Sequence, residues 1–88
     1  MNSCPKRFVY VLCSVSDPSR PYVGLTSNVA ARIGAHNAGQ NPSTACHKPW
    51  QLVVSLEFSS EQLAIRFERY LKSGSGRAFA KRHFAEPE

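Results

Sequence analysis

Gly24-Leu25-Thr26-Ser27-Asn28-Val29-Ala30-Ala31-Arg32-Ile33-Gly34-Ala35-His36-Asn37-Ala38-Gly39 contains a strand end, a helix start, the helix and its stop. Thr26, Ser27 and Asn28 offer side-chain oxygens that can accept the unpaired N–H groups of a first helical turn. The helix is expected from about Val29 to Ala38, with Gly39 just past its end, where a left-handed backbone is often needed. Val29 and Ile33 mark the apolar stripe. Arg32 and His36, four residues apart, share a face at the margin of that stripe.

Upstream, Phe8 to Val15 (FVYVLCSV) is apolar on both alternating faces and reads as a central strand covered on both sides. Asp17-Pro18-Ser19-Arg20-Pro21 is turn chemistry, and Tyr22 to Leu25 reads as a second strand closing a hairpin. Downstream, residues 40 to 49 (QNPSTACHKP) read as a polar loop, and Trp50 to Phe58 as a third strand. A second helix is expected from Ser59-Ser60-Glu61 to about Lys72, with Leu63, Phe67, Tyr70 and Leu71 as its apolar face and Ala64 beside them. Ser73-Gly74-Ser75-Gly76 should break it, and Arg77 to Phe84 should form a third, basic helix before a tail at Ala85 to Glu88. The expected fold is α+β: a three-stranded, mainly antiparallel sheet flanked by about three helices, in the order β-β-α-β-α-α. A chain of 88 residues fits one small domain, with its core at about 7–84.

Composition is that of a globular chain, 42% hydrophobic and 19% charged. The net charge of +5 favours a polyanionic partner, a nucleic acid or an anionic membrane surface. From Arg66 to Arg82, six basic residues (Arg66, Arg69, Lys72, Arg77, Lys81, Arg82) face one acid, Glu68. Such a stretch can follow a phosphate backbone or simply be a solvated surface. No apolar run is long enough for a membrane span or a leader. Of the cysteines, Cys13 sits in an apolar run, where a thiol usually acts as a small hydrophobe. Cys46-His47 has no second pair with which to close a zinc site, and Cys4 adds none. Reduced thiols and the missing leader predict a cytoplasmic protein.

Several side chains could carry chemistry. Arg32 can present a planar fork to a phosphate, or it can snorkel beside a surface histidine. Glu68, at the edge of an apolar face, can hold a metal, or it can pair with Lys72 one turn on. Tyr10 and Tyr22 lie on adjacent hairpin arms and can be core residues or proton-transfer groups.

In this order the residues resemble the GIY-YIG nuclease family. Phe8-Val9-Tyr10 and Tyr22-Val23-Gly24 correspond to its two signatures, with Phe8 and Val9 standing where the eponymous Gly and Ile would be. Gly24 to Gly39 is similar to the family's YxGxTxxxxxRxxxHNxG stretch, Pro49 to Val53 to its PWxLV strand, and Ala64 to Lys72 to its AxxxExxLK helix. SGSGRAFAKRH resembles the end of the small stand-alone bacterial branch. Some members carry an asparagine after the metal-binding glutamate; none follows Glu68.

The resemblance implies a DNA endonuclease that uses one divalent ion, Mg2+ or Mn2+, held by Glu68. It assigns phosphate binding to Arg32, proton abstraction to Tyr22 or Tyr10, and orientation or proton relay to His36. His47 is a candidate counterpart of a loop histidine found in some members. Lys72, Arg77, Lys81 and Arg82 would hold flanking DNA. The substrate implied is branched, nicked or otherwise structured DNA in repair or recombination, with a protein partner as one source of specificity. The rival readings are a non-catalytic nucleic-acid-binding module and a nuclease subunit active only with a partner.

Overall fold

The computed structural model describes residues 5–84; the readings on Cys4 and on the tail at 85–88 fall outside them. β1 (Phe8–Ser14), β2 (Pro21–Thr26) and β3 (Trp50–Glu57) form an antiparallel sheet in the order β2-β1-β3. β1 is central because both of its faces are apolar: Val9, Tyr10, Val11 and Leu12 are all buried. The expected α+β sheet is therefore present. Among the described residues, four helices flank it rather than about three: α1 (Val29–Asn37), α2 (Pro42–Ala45), α3 (Glu61–Lys72) and α4 (Gly74–Phe84).

Alternation along β1 sorts the core into two layers. Val9 and Val11 point to one face, where Val23, Leu25, Val54 and Phe58 join Ala64, Phe67 and Leu71 of α3 and Phe79, Ala80 and Phe84 of α4. Tyr10 and Leu12 point to the other, with Trp50, Tyr22, and Val29 and Ile33 of α1. α1 and the α3–α4 pair thus cover opposite faces. Trp50 and Val54 lie an even number of residues apart, so a regular β3 would send both to one face. A bulge opposite Val11 and Leu12 changes the phase: Val11 pairs with Val54, but Leu12 pairs with Leu52. Each large side chain thereby reaches its own layer.

α1 begins and ends as its sequence indicates. Asn28 Oδ1 accepts from the Ala31 N–H at 3.1 Å, and Gly39 follows the helix at φ +78°. The stretch read as a loop at 40–49 holds α2. Asn41 caps it, its Oδ1 accepting from the Ser43 N–H at 3.0 Å, and Pro42 opens it with φ already set.

The break expected over Ser73–Gly76 shrinks to one residue. Ser73 Oγ donates to the last carbonyls of α3 at Tyr70 (2.6 Å) and accepts from the Gly76 N–H (3.1 Å), so one hydroxyl closes α3 and opens α4. α4 consequently starts at Gly74 rather than Arg77. Gly76 is not a breaker: a Cβ there would collide with the Tyr70 carbonyl, so glycine allows the two helices to meet at this tight angle. On α3 the apolar face is narrower than expected. Ala64 and Leu71 are buried, but Leu63 and Tyr70 are 42% and 39% exposed, because the sheet is narrow and α4 covers only one flank. Cys13 is only half-buried; its thiol lies within reach of the Ser14 and Pro18 carbonyls instead of packing in the core.

Candidate active site

The register of the hairpin builds the first part of the site. Tyr10 pairs with Gly24 and Leu12 with Tyr22, so the two tyrosines are diagonal neighbours on one face. Their ring centroids are 6.2 Å apart. Gly24 has a reason to lack a side chain: a Cβ there would occupy the position of the Tyr10 hydroxyl. The ring of Tyr10 lies across β2 because nothing stands in its way.

α1 supplies the second part from above. His36, read from sequence as marginal, is fully buried. Its Nε2 lies 3.0 Å from Tyr10 Oη, its Nδ1 lies 2.8 Å from Thr44 Oγ1, and its ring packs edge-on to Tyr22 at 4.8 Å. Arg32, one turn earlier and half-buried, turns its guanidinium to the phenols. Burial raises the Tyr10 pKa above the usual tyrosine range, outweighing the opposing pull of Arg32. The Tyr10 hydroxyl beside it holds Arg32 still more firmly protonated. Burial, then the Arg32 charge, pushes His36 below the usual histidine value, so its imidazole is neutral near pH 7. The result is a cation beside two phenols, with a neutral ring behind them. That arrangement suits a phosphate oxyanion better than a neutral ligand.

Two further side chains frame the cluster. The Asn37 amide acts like a strand neighbour: Nδ2 donates to the Trp50 carbonyl at 3.1 Å, and Oδ1 accepts from the Trp50 N–H at 2.6 Å. The Trp50 indole donates to the Thr44 carbonyl at 2.9 Å, pinning α2 against β3. Thr44 was invisible as a site residue, since nothing in a loop reading marks a threonine for burial. The Asn41-Pro42 pair, an N-cap followed by a first helical position, was the available signal.

The remaining candidates stand apart from this cluster. His47 sets its ring against the edge of Trp50 at 6.5 Å, and its backbone carbonyl accepts from Ser14 Oγ at 2.6 Å. Trp50 in turn lies 6.2 Å from Tyr22. Glu68 is on α3, across the sheet from α1, and pairs with Lys72 at 2.6 Å; its side chain is 17% exposed and that of Lys72 is 54%. The Phe67 flank of α3 meets Phe58, just beyond β3, with ring centroids 5.3 Å apart. Glu68 lies on the opposite flank of α3, which packs across β1 and the edge strand β2. Lys72, Arg77, Lys81 and Arg82 are exposed on α3 and α4. No three His, Cys, Asp or Glu side chains converge on a metal-sized space among the described residues. Among them, too, no helix is long and apolar enough to cross a membrane.

The paired tyrosines, the arginine and the histidine follow the chain order of a known catalytic module. The model of the GIY-YIG catalytic domain matches residues 6–82. The chain belongs to the GIY-YIG family. This makes it a nuclease-type module, a family that generally acts on DNA with a divalent ion. It is similar to a UPF0213 protein of Staphylococcus haemolyticus, 41% identical over 71 residues, covering 80% of this chain and 84% of that one. It is also similar to a UPF0213 protein of Natronomonas pharaonis, 37% identical over 67 residues, covering 75% and 76%. No solved structure matches. The GIY-YIG signatures acquire a physical meaning here: the glycine of the second signature leaves the space that the tyrosine of the first fills.

Proposed function

We propose that this protein is a metal-dependent endonuclease that hydrolyses phosphodiester bonds in branched, nicked or otherwise structured DNA, in repair or recombination. The observation that carries the reading is the convergence of the Arg32 guanidinium with the Tyr10 and Tyr22 side chains over a neutral His36. A phosphodiester transition state gathers negative charge on its non-bridging oxygens, and a preorganised guanidinium stabilises it there. Arg32 binds and polarises the scissile phosphate. Tyr22, half-buried on the edge strand, takes the proton of the attacking water. Burial holds the Tyr10 hydroxyl protonated, which suits it to an orienting role. His36 orients Tyr10 through their 3.0 Å hydrogen bond.

Glu68 would hold the Mg2+ or Mn2+. The donor set fits: a hard cation needs only one or two carboxylates when waters and phosphate oxygens complete its shell. When bound, such an ion supplies Lewis-acid stabilisation of the phosphoryl group and leaving oxygen. α3 packs against β2, the strand that carries Tyr22 on its other side, and this supports a path around the sheet edge from Glu68 to the tyrosines. Lys72, Arg77, Lys81 and Arg82 hold the flanking backbone, with Lys72 released from Glu68 as DNA arrives. The free thiols of Cys13 and Cys46 suit a reducing cytoplasm.

A second reading follows from the Glu68–Lys72 pair: Glu68 is only a helix-surface partner, and the module binds nucleic acid without cutting it. Incubating purified protein with nicked and branched DNA, with Mn2+ and then with a chelator, separates the two. The nuclease reading expects Mn2+-dependent cleavage that Glu68→Ala abolishes while DNA binding persists. Binding without cleavage under every condition favours the second.

A further inference from the structure

The hydrogen bonds behind His36 do more than hold it in place. The ring is fully buried between Thr44 Oγ1, 2.8 Å from Nδ1, and Tyr10 Oη, 3.0 Å from Nε2. A neutral imidazole carries one N–H, and its neighbours decide which nitrogen holds it. At one end, the Thr44 hydroxyl has a second acceptor in the Asn41 carbonyl at 3.3 Å, and sending its proton there leaves an oxygen lone pair for His36 Nδ1–H at 2.8 Å. At the other end, Arg32 has only donors and its charge acts on Tyr10, which favours sending the Tyr10 proton to Nε2 at 3.0 Å. Both ends favour the hydrogen on Nδ1.

We propose that Thr44 is a positioning residue of this site, locking His36 in the Nδ1–H tautomer so that Nε2 accepts the Tyr10 proton and leaves the Tyr10 oxygen open to Arg32. α2 serves this purpose structurally. Asn41 caps it, Pro42 starts it, and the Trp50 indole fastens the Thr44 carbonyl, so that four helical residues present one hydroxyl to a buried ring. The tautomer rests on these hydrogen bonds alone. Its catalytic consequence, a guanidinium held at one angle by a phenol that cannot turn its proton outward, rests on the nuclease reading above.

The test is the imidazole nitrogen spectrum of the full chain, with histidine labelled in 15N and two-bond proton correlations recorded at neutral pH. Wild type should show His36 with a pyrrole-like Nδ1 and a pyridine-like Nε2. Thr44→Ser should keep that pattern and the wild-type cleavage rate. Thr44→Val should give a mixed or reversed tautomer and slow cleavage about tenfold, the lower end of the cost of removing an outer hydrogen-bond partner from a working imidazole. A wild-type spectrum with the hydrogen on Nε2 overturns the proposal, as does a Thr44→Val spectrum unchanged from wild type. If Thr44→Val does not fold, the wild-type and Thr44→Ser spectra decide. Failure of the wild type to cut any DNA would sink the nuclease reading and leave the spectrum to judge Thr44.

Discussion

Replacing Gly24 by alanine adds one methyl group, and the site has no room for it. The new Cβ would fall on the Tyr10 hydroxyl and its ring carbon. Tyr10 cannot yield easily, because it is buried and hydrogen-bonded to His36, which is itself tied to Thr44. The ring must therefore move by about a van der Waals radius, or β2 must separate from β1. Overpacking of this kind typically costs about 1–3 kcal/mol of stability. In a domain of this size each kcal/mol lowers Tm by about 4–8 °C. The catalytic cost should be larger in proportion: a displacement of about 1 Å costs roughly 100-fold in rate, or about 2.7 kcal/mol of barrier. Thermal unfolding and single-turnover cleavage of nicked DNA measure the two effects separately. The double variant Gly24→Ala, Tyr10→Phe should regain little, because the Tyr10 ring carbons still overlap the new Cβ. A Gly24→Ala protein with wild-type Tm and a rate within about threefold of wild type would refute the claim that this glycine makes space for Tyr10.

Three other perturbations follow from the same geometry. His36 has a folded pKa below its unfolded value of about 6.5, so the unfolded chain binds the extra proton first. Stability should be fully present above that value and decline as pH falls from about 6.5 toward the folded pKa; urea midpoints at stepped pH measure this, and His36→Gln should flatten this part of the profile. Gly76→Ala should destabilise by about 1–3 kcal/mol or more, because its Cβ meets the Tyr70 backbone rather than a side chain that can rotate away; circular dichroism melting measures the loss. Leu71→Ala should cost about 2–5 kcal/mol through the cavity left beside Val9, Val11 and Ala64, read from the denaturant midpoint.

Local rules made much of this molecule legible. The Asn28 cap and the Gly39 stop are chemistry within a few residues, and both ends of α1 lie where those residues predict. The two-sided apolar run of β1 identified the central strand for the same reason. What escaped the sequence depends on distant partners. The bulge opposite Val11 and Leu12 exists because Trp50 and Val54 must reach different layers, and alternation within β3 alone cannot show that. Gly76 resembles a helix breaker until the Tyr70 carbonyl is seen against it. Leu63 fits the apolar stripe of α3 but lies beyond the reach of a three-stranded sheet. Arg32 and His36 were placed together by helical spacing, but the burial of His36 depends on Thr44, eight residues on, in a segment with no periodicity of its own. Glu68 shows the limit most clearly. Spacing pairs it with Lys72 as readily as with a metal, and the structure has the Lys72 pair.

The most direct measurement is the single-turnover rate of nicked-DNA cleavage by Arg32→Ala with saturating Mn2+, alongside its DNA affinity. If this guanidinium stabilises charge on the scissile phosphate, the rate should fall at least ~100-fold, the cost of deleting a preorganised donor, with little change in affinity. A rate within about threefold of wild type would make Arg32 a packing residue and remove the phosphate from between the two tyrosines.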